Sequence, residues 1–400
     1  MIKRHHYLNS LRQLKDQNLI KVITGIRRSG KSTLLGAFKN ELLSEGIAAE
    51  NIIFLNFEER ENLHLTDWIK LYDEIMPIVR PDQKYYIFLD EVQLVESFEK
   101  LVGSLFTKKN IDLYITGSNA YLLSGELATL LTGRYIAINV QPYSFKEFAQ
   151  ANNEENNTEL LFRKYMNSSS FPEAVTLAKQ GDELVNDYIQ SIYDTVIIKD
   201  IANRYKLRNI HNLHRVISFL FDSVGSNVSP TNIAEALGKA SKKNLSHNTV
   251  IKYLNYLTQA YILYAAPRYD VKGKEQLTTN EKYYMVDLGL KNITTSNKYD
   301  ADLGHKLENV VYFELLRKGS RVYAGKNSDK EIDFIVQKTK NEREYYQVAY
   351  TTADEKTFER EISALRSIRD NYPKYLLTLD YDNSNINGIQ KLNVIDWLLK

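Results

Sequence analysis

Eight residues constrain this chain more than any other segment. Gly25-Ile26-Arg27-Arg28-Ser29-Gly30-Lys31-Ser32 match G-x-x-x-x-G-K-[ST] at every fixed position. An apolar run, Leu19–Thr24, leads in, and an apolar-periodic run, Thr33–Phe38, leads out, so the motif is expected between a strand and a helix. Glycines let the backbone curl until consecutive N–H groups face an anion, and the helix N-terminus adds positive dipole. That is what a nucleoside phosphate needs. Gly25, Arg28, Ser29, Gly30, Lys31, Ser32 and Thr33 are the candidate cradle. Lys31 would reach the β/γ-phosphates, and the Ser32 hydroxyl would ligate Mg²⁺.

The rest of residues 1–150 supplies the matching sheet. Apolar runs at Leu19–Gly25, Asn51–Phe57, Tyr85–Asp90, Asp112–Gly117 and Arg134–Gln141 alternate with helical patterns, the signature of a parallel sheet covered by helices. Tyr85–Leu89 delivers two carboxylates to its carboxyl end, where open parallel sheets bind ligands. Asp90 would join the Mg²⁺ shell, and Glu91 would polarise the attacking water. Leu113–Asn119 ends in hydroxyl and amide groups, so Ser118 or Asn119 would touch the γ-phosphate or the water; a turn or helix cap is the other reading. Arg134 is either an arginine finger or a member of a surface ion pair.

Composition narrows the class. Four hundred residues exceed one ordinary core, so several domains are expected. Lys+Arg 52 against Asp+Glu 50 leaves +2, which excludes a globally basic nucleic-acid coat. The absence of cysteine removes disulfides, thiolate zinc sites, iron–sulfur clusters and thiol nucleophiles. The most apolar stretch, around Tyr261–Ala266, falls far short of the roughly 20 residues a membrane helix needs. Met1–Arg4 is basic, but Lys15, Asp16 and Lys21 interrupt any secretory apolar region. A cytoplasmic protein with no membrane partner is expected.

Ala151–Glu159 reads as a polar linker. Beyond it, His211–Val224, Thr231–Lys239 and Ser246–Ala260 read as three helices, with Ser229-Pro230 capping the second. A strand at Tyr261–Ala266 and a turn at Val271–Lys274 follow. Residues 226–275 carry seven basic against three acidic side chains, Lys242, Lys243, Lys252, Lys272 and Lys274 among the basic ones. A winged helix-turn-helix with a locally basic face is the footprint of double-stranded DNA binding, although winged helices also dock proteins.

From residue 276 the order is a helix Asp302–Arg317, strands Arg321–Ala324, Glu331–Gln337 and Tyr345–Tyr350, a helix Thr357–Asp370 and a strand Tyr375–Leu379. This order, with Asp333 in an apolar strand, resembles the PD-(D/E)xK nuclease fold. The resemblance implies an acid at Asp333, a helical acid at Glu308, and an acid and a lysine on the third strand to hold metal and activate water. That strand instead reads Gln347-Val348-Ala349, so an inactive, structural or binding module is expected. Activity would require a lysine from elsewhere, with Lys356 the candidate. His5, His6 and His305 show no metal-ligand spacing.

Val22–Leu35, Leu89-Asp90-Glu91, Thr116-Gly117-Ser118 and Gly133-Arg134 resemble the bacterial and archaeal P-loop ATPases of the AAA+ superfamily whose ATPase domain precedes a domain of unknown function. Gln141–Phe145, Ser168–Ala174 and Val286–Gly289 extend the likeness over nearly the whole chain, with Ser169-Ser170 where the family usually has two glycines. The resemblance implies a sheet of order 5-1-4-3-2 and ATP rather than GTP. The expected α/β architecture is an ATPase domain at 1–150, a helical lid at 151–205, a winged helix at 206–275 and a nuclease-like domain at 276–400. A Mg²⁺-dependent ATP-hydrolysing switch or motor follows, acting on DNA, a protein partner or further copies of itself. An ATP-gated nuclease and a DNA-binding regulator with little turnover are the rivals.

Overall fold

Five short apolar runs pair into one parallel sheet at the start of the chain. In the computed structural model, β1 (Ile20–Thr24), β2 (Ile52–Asn56), β3 (Tyr85–Asp90), β4 (Ile111–Gly117) and β5 (Tyr135–Asn139) lie in the order β2-β3-β4-β1-β5, the order expected. Every neighbouring pair is parallel. The structure describes all residues except 1, 124–132, 153–156, 208, 242–244, 295–302, 320 and 340–341. It divides into two units, Met1–Pro142 with Gln259–Tyr261, and Tyr143–Thr258 with Ile262–Lys400.

In the first unit, strand alternation sorts the core onto two faces. Ile20, Val22, Ile87, Leu89, Leu113 and Ile115 pack with α3 (Trp68–Ile75) and α4 (Phe98–Phe106). Ile23, Phe88 and Tyr114 pack on the other face with α1 (His5–Leu14) and α2 (Lys31–Ser44). Burial on both faces is why these strands read as continuous apolar runs. One residue breaks that pattern: Lys21 is fully buried in β1 and pairs with Asp112 of β4, which also accepts from the Tyr114 hydroxyl at 2.9 Å and the Asp16 N–H at 2.9 Å. Burial lowers the Lys21 pKa, opposed by the Asp112 charge.

The second unit contains α5 (Phe145–Ala151), α6 (Thr158–Asn167), α7 (Pro172–Leu177), α8 (Asp182–Thr195), α9 (Ile210–Asp222), α10 (Pro230–Ser241), α11 (His247–Gln259), α12 (Gly289–Thr294), α13 (Leu303–Arg317), α14 (Glu355–Arg366) and α15 (Val394–Leu399). Of α11, only its last residue, Gln259, is grouped with the first unit. A capping box between Ser144 and Glu147 starts α5, which therefore runs into the expected linker as far as Ala151. The strands β6 (Leu263–Asp270), β7 (Glu275–Met285), β8 (Arg321–Asn327), β9 (Lys330–Thr339), β10 (Glu342–Val348), β11 (Lys374–Thr378), β12 (Ser384–Ile386) and β13 (Ile389–Asn393) form one mixed sheet, β12-β13-β11-β10-β9-β8-β6-β7.

Sequence reading places a strand at Tyr261, but Tyr261 sits at φ +57° and β6 starts at Leu263. The turn at Val271–Lys274 closes a β6–β7 hairpin, but not a free one, because β6 also pairs in parallel with β8. The strands β7, β12 and β13 and the helix α15 have no counterpart in the sequence reading. Two motifs far apart in sequence meet: Asp287 Oδ2 accepts from the Ser170 N–H at 2.6 Å and the Ser170 hydroxyl at 2.7 Å. A second glycine at 170 would lack that hydroxyl. The Gly289 N–H donates to Asp287 Oδ1 at 3.0 Å, and a Cβ on Gly289 would lie 2.6 Å from Ser169 Cβ.

The buried Lys21–Asp112 pair yields a stability test. Asp112→Ala leaves an ammonium uncompensated in the core and should cost about 3–5 kcal/mol, whereas Lys21→Met with Asp112→Leu should recover most of that loss. Urea melts of both proteins check it, and equal losses would contradict the burial argument.

Candidate nucleotide site

The loop between β1 and α2 has the backbone a phosphate cradle requires. Gly25 has φ +138°, and a Cβ there would lie 2.1 Å from Val140 O, so no other residue fits. Gly30 caps α2 at φ +96°, and Arg28 is left-handed at φ +64°. The first N–H groups of the 14-residue α2 have no intrahelical acceptor and point out of its start. Arg4 holds the loop from behind: its guanidinium donates to Ser29 O (3.0 Å), Gln141 O (2.7 Å) and Pro142 O (3.3 Å) and lies over the Tyr7 ring.

Parallel register brings the carboxyl ends of β1, β3 and β4 together beside this loop. Lys31 Nζ donates to Gly25 O at 3.0 Å and Ile26 O at 3.2 Å, and lies 3.7 Å from Glu91 Oε1. Asp90 is fully buried at the end of β3. Burial pushes its carboxyl above the ordinary range, opposed by hydrogen bonds from Ser32 and Thr116. The two candidate Mg²⁺ ligands, Ser32 and Asp90, are therefore neighbours. Asp90 Oδ2 and Ser29 Oγ are buried without a hydrogen-bond partner, oxygens that a cation and a phosphate would satisfy. The donor set fits a nucleotide with a hard divalent ion.

Glu91 is left-handed at φ +56°, a conformation that costs a non-glycine residue on the order of 1 kcal/mol or more and persists only when its neighbours impose it. Thr116 does so. Its hydroxyl accepts from the Glu91 N–H at 2.8 Å and donates to Asp90 Oδ1 at 2.5 Å. The Gln93 amide donates to Glu91 Oε2. Burial would raise the Glu91 pKa, but Lys31, Gln93, Arg27 and Ser118 outweigh it and hold the carboxyl below the ordinary range. Glu91 is thus ionised at neutral pH, as a proton acceptor must be.

Among the expected site residues, Gly25, Ser29, Gly30, Lys31, Ser32, Asp90, Glu91 and Ser118 are brought together. Asn119 is buried next to Ser118, and Thr33 lies exposed on the first turn of α2. Arg28 is exposed in the loop. Arg134 is not brought to the site. It precedes β5, whose first residue, Tyr135, pairs with Ile20 at the far end of β1. Its guanidinium sits 6.0 Å over the Phe106 ring, so it cannot act on this chain's own loop. Sequence reasoning missed Thr116, Gln93, Arg4 and Tyr261. The register of β4 against β3 was the available signal for Thr116. Nothing local marks Tyr261, whose hydroxyl reaches Thr24 and Asn139 beside Gly25.

Residues 17–149 match the family model described as an AAA domain, and residues 159–300 match a domain of unknown function, DUF8612. An uncharacterized protein of Haemophilus influenzae is 43% identical over 100% of this chain and 99% of its own length. An uncharacterized protein of Methanocaldococcus jannaschii is 29% identical over 95% of this chain and 85% of its own. Among solved structures, a Walker-type ATPase of Pyrococcus abyssi aligns over 74% of this chain and 96% of its own at TM-score 0.49 and 14% identity. Among the described residues, no helix is long and apolar enough to cross a membrane. With a relative 43% identical over its full length, the chain belongs to the family of the Haemophilus influenzae protein, and residues 17–149 carry its AAA domain.

Proposed function

We propose that the protein binds ATP with Mg²⁺ and hydrolyses it, using the free energy to rearrange its second unit on a partner. The observation that carries this reading is the convergence of Lys31, Ser32, Asp90 and Glu91 on one sheet edge, with Thr116 joining the two acids. Lys31 would exchange the carbonyls of Gly25 and Ile26 for β/γ-phosphate oxygens. Ser32 and Asp90 would hold Mg²⁺, which when bound neutralises charge on the phosphates. Glu91 would take a proton from the attacking water, and Ser118 would help orient that carboxylate. Arg134 would act only from a neighbouring copy.

The downstream modules are part of the same proposal. We read α9–α11 with the β6–β7 hairpin as a winged helix, supported by the bridge between Asn227 and Lys282 beside the hairpin. The hairpin turn presents Lys272 and Lys274 to solvent, while Lys242 and Lys243 lie outside the described residues. That exposed basic turn favours duplex DNA as partner. We read α13 through β11 as nuclease-like in order, without nuclease chemistry.

Lys31→Ala should abolish phosphate release and weaken ATP binding, because the point charge on the phosphates is gone. Glu91→Gln should bind ATP normally yet stall, since the amide keeps the shape but takes no proton. Steady-state phosphate release by the purified chain checks both, and a wild-type rate in Glu91→Gln would refute the assigned base. For DNA, three to five phosphate contacts predict a slope of roughly −3 to −4.5 for log affinity against log salt. Replacing Lys272 and Lys274 by Ala should reduce that slope by about 2 without altering sequence preference. Anisotropy across a salt series measures it, and no duplex binding at low salt would leave this module a protein-docking surface.

A further inference from the structure

The second unit contains a cavity of about 790 Å³ in which charged groups from separate elements converge. Its centre is Lys282 of β7, 2% exposed. The ammonium lies 2.8 Å from Glu308 Oε1 on α13, 2.6 Å from Glu331 Oε1 and 3.6 Å from Asp333 Oδ1 on β9. Glu308 also accepts from the Tyr284 hydroxyl at 2.5 Å, and Asp333 from the Val348 N–H at 2.8 Å. Glu361 of α14 accepts from the Gln347 amide at 2.7 Å and from the Arg360 guanidinium at 2.9 and 2.6 Å. Lys356, the candidate displaced lysine, is exposed on α14 and does not line the cavity.

A nuclease-like centre implies a divalent ion held between Glu308, Asp333 and a third-strand acid. The residues present do not fit one. The third-strand positions are Gln347 and Ala349, and the carboxylates are turned onto an ammonium rather than onto a shared vacant point. Among the described residues, no three acidic or histidine side chains are grouped so as to hold a metal ion.

We infer that Lys282 stands in for the divalent ion, as a resident cation covalently attached to β7, and that this cavity is built to work without metal. Buried carboxylates from two elements need a cation between them, and an isolated one would be expensive to bury. A lysine supplies one positive charge on a tether that cannot leave the site. It supplies less charge than a divalent metal would; burial and Glu308 hold the Asp333 carboxyl above the usual carboxylate range, against the pull of Lys282. The inference goes beyond the nucleotide reading and does not depend on it, since all these residues belong to the second unit.

The test uses nucleotide-free full-length chain in which Asp90→Asn silences metal binding at the phosphate loop. Calorimetric titration with MnCl₂ and thermal melts with and without Mn²⁺ are compared for this parent and for Lys282→Met added to it. The parent should show no Mn²⁺ binding that Asp333→Asn removes, and plasmid DNA should stay supercoiled in the presence of Mg²⁺ or Mn²⁺. Lys282→Met should melt lower, bind one equivalent of Mn²⁺ and regain stability with it; adding Asp333→Asn should abolish the binding. Mn²⁺ binding or plasmid nicking by the parent that depends on Asp333 would overturn the inference. So would a folded Lys282→Met protein indifferent to Mn²⁺. If Lys282→Met does not fold, the titration of the parent decides between resident lysine and metal.

Discussion

Parallel register across β1, β3 and β4 is the constraint on which the rest of the first unit depends. Ile115 pairs with both Val22 and Leu89, so the strands reach their carboxyl ends together. The loop glycines, Asp90 and Thr116 then arrive at one edge without further design. Thr116 turns that proximity into a fixed geometry. Its hydroxyl has one proton to donate and lone pairs to accept with; it donates to Asp90 and accepts from the Glu91 N–H. The left-handed Glu91 backbone is the strain this clamp holds. At the opposite end of the same strands, Lys21 and Asp112 form a buried ion pair.

The second unit solves a similar problem with different means. Asp287 is buried, and its carboxyl is raised by that burial although hydrogen bonds from Ser170, Ser169 and Gly289 oppose the shift. Those bonds tie the turn before α7 to the segment before α12. Lys282 does the equivalent among Glu308, Glu331 and Asp333, with a charge in place of N–H and O–H donors. In both places a sequence that departs from a familiar pattern is completed locally by a side chain. At Ser170 a hydroxyl supplies a donor that a glycine would lack, and at Lys282 one ammonium meets three carboxylates.

The legible parts of this protein are those whose chemistry is contiguous in sequence. Gly25–Ser32 and Tyr85–Glu91 each carry strand, turn and functional group in one run, so their placement follows from pattern and turn chemistry. Thr116 was visible as a residue but not as a clamp, because its role exists only across the pairing of β4 with β3. Arg134 is legible as a residue but not in where it lies: in a parallel sheet, a residue that opens a strand sits at the end opposite the ligand edge, away from this chain's own loop. Lys282 was invisible. It sits in Glu275–Met285, a strand of largely polar composition whose pairing with β6 buries it beside acids 26 to 51 residues away in sequence.

We propose that one site, at the carboxyl edge of β1, β3 and β4, holds a nucleoside triphosphate with its metal. Its most direct test is calorimetric titration of the purified chain with a non-hydrolysable ATP analogue, with and without Mg²⁺. One analogue should bind per chain, tighter with Mg²⁺, with the metal dependence lost in Asp90→Asn. Absence of binding, or binding indifferent both to Mg²⁺ and to Asp90, would contradict it.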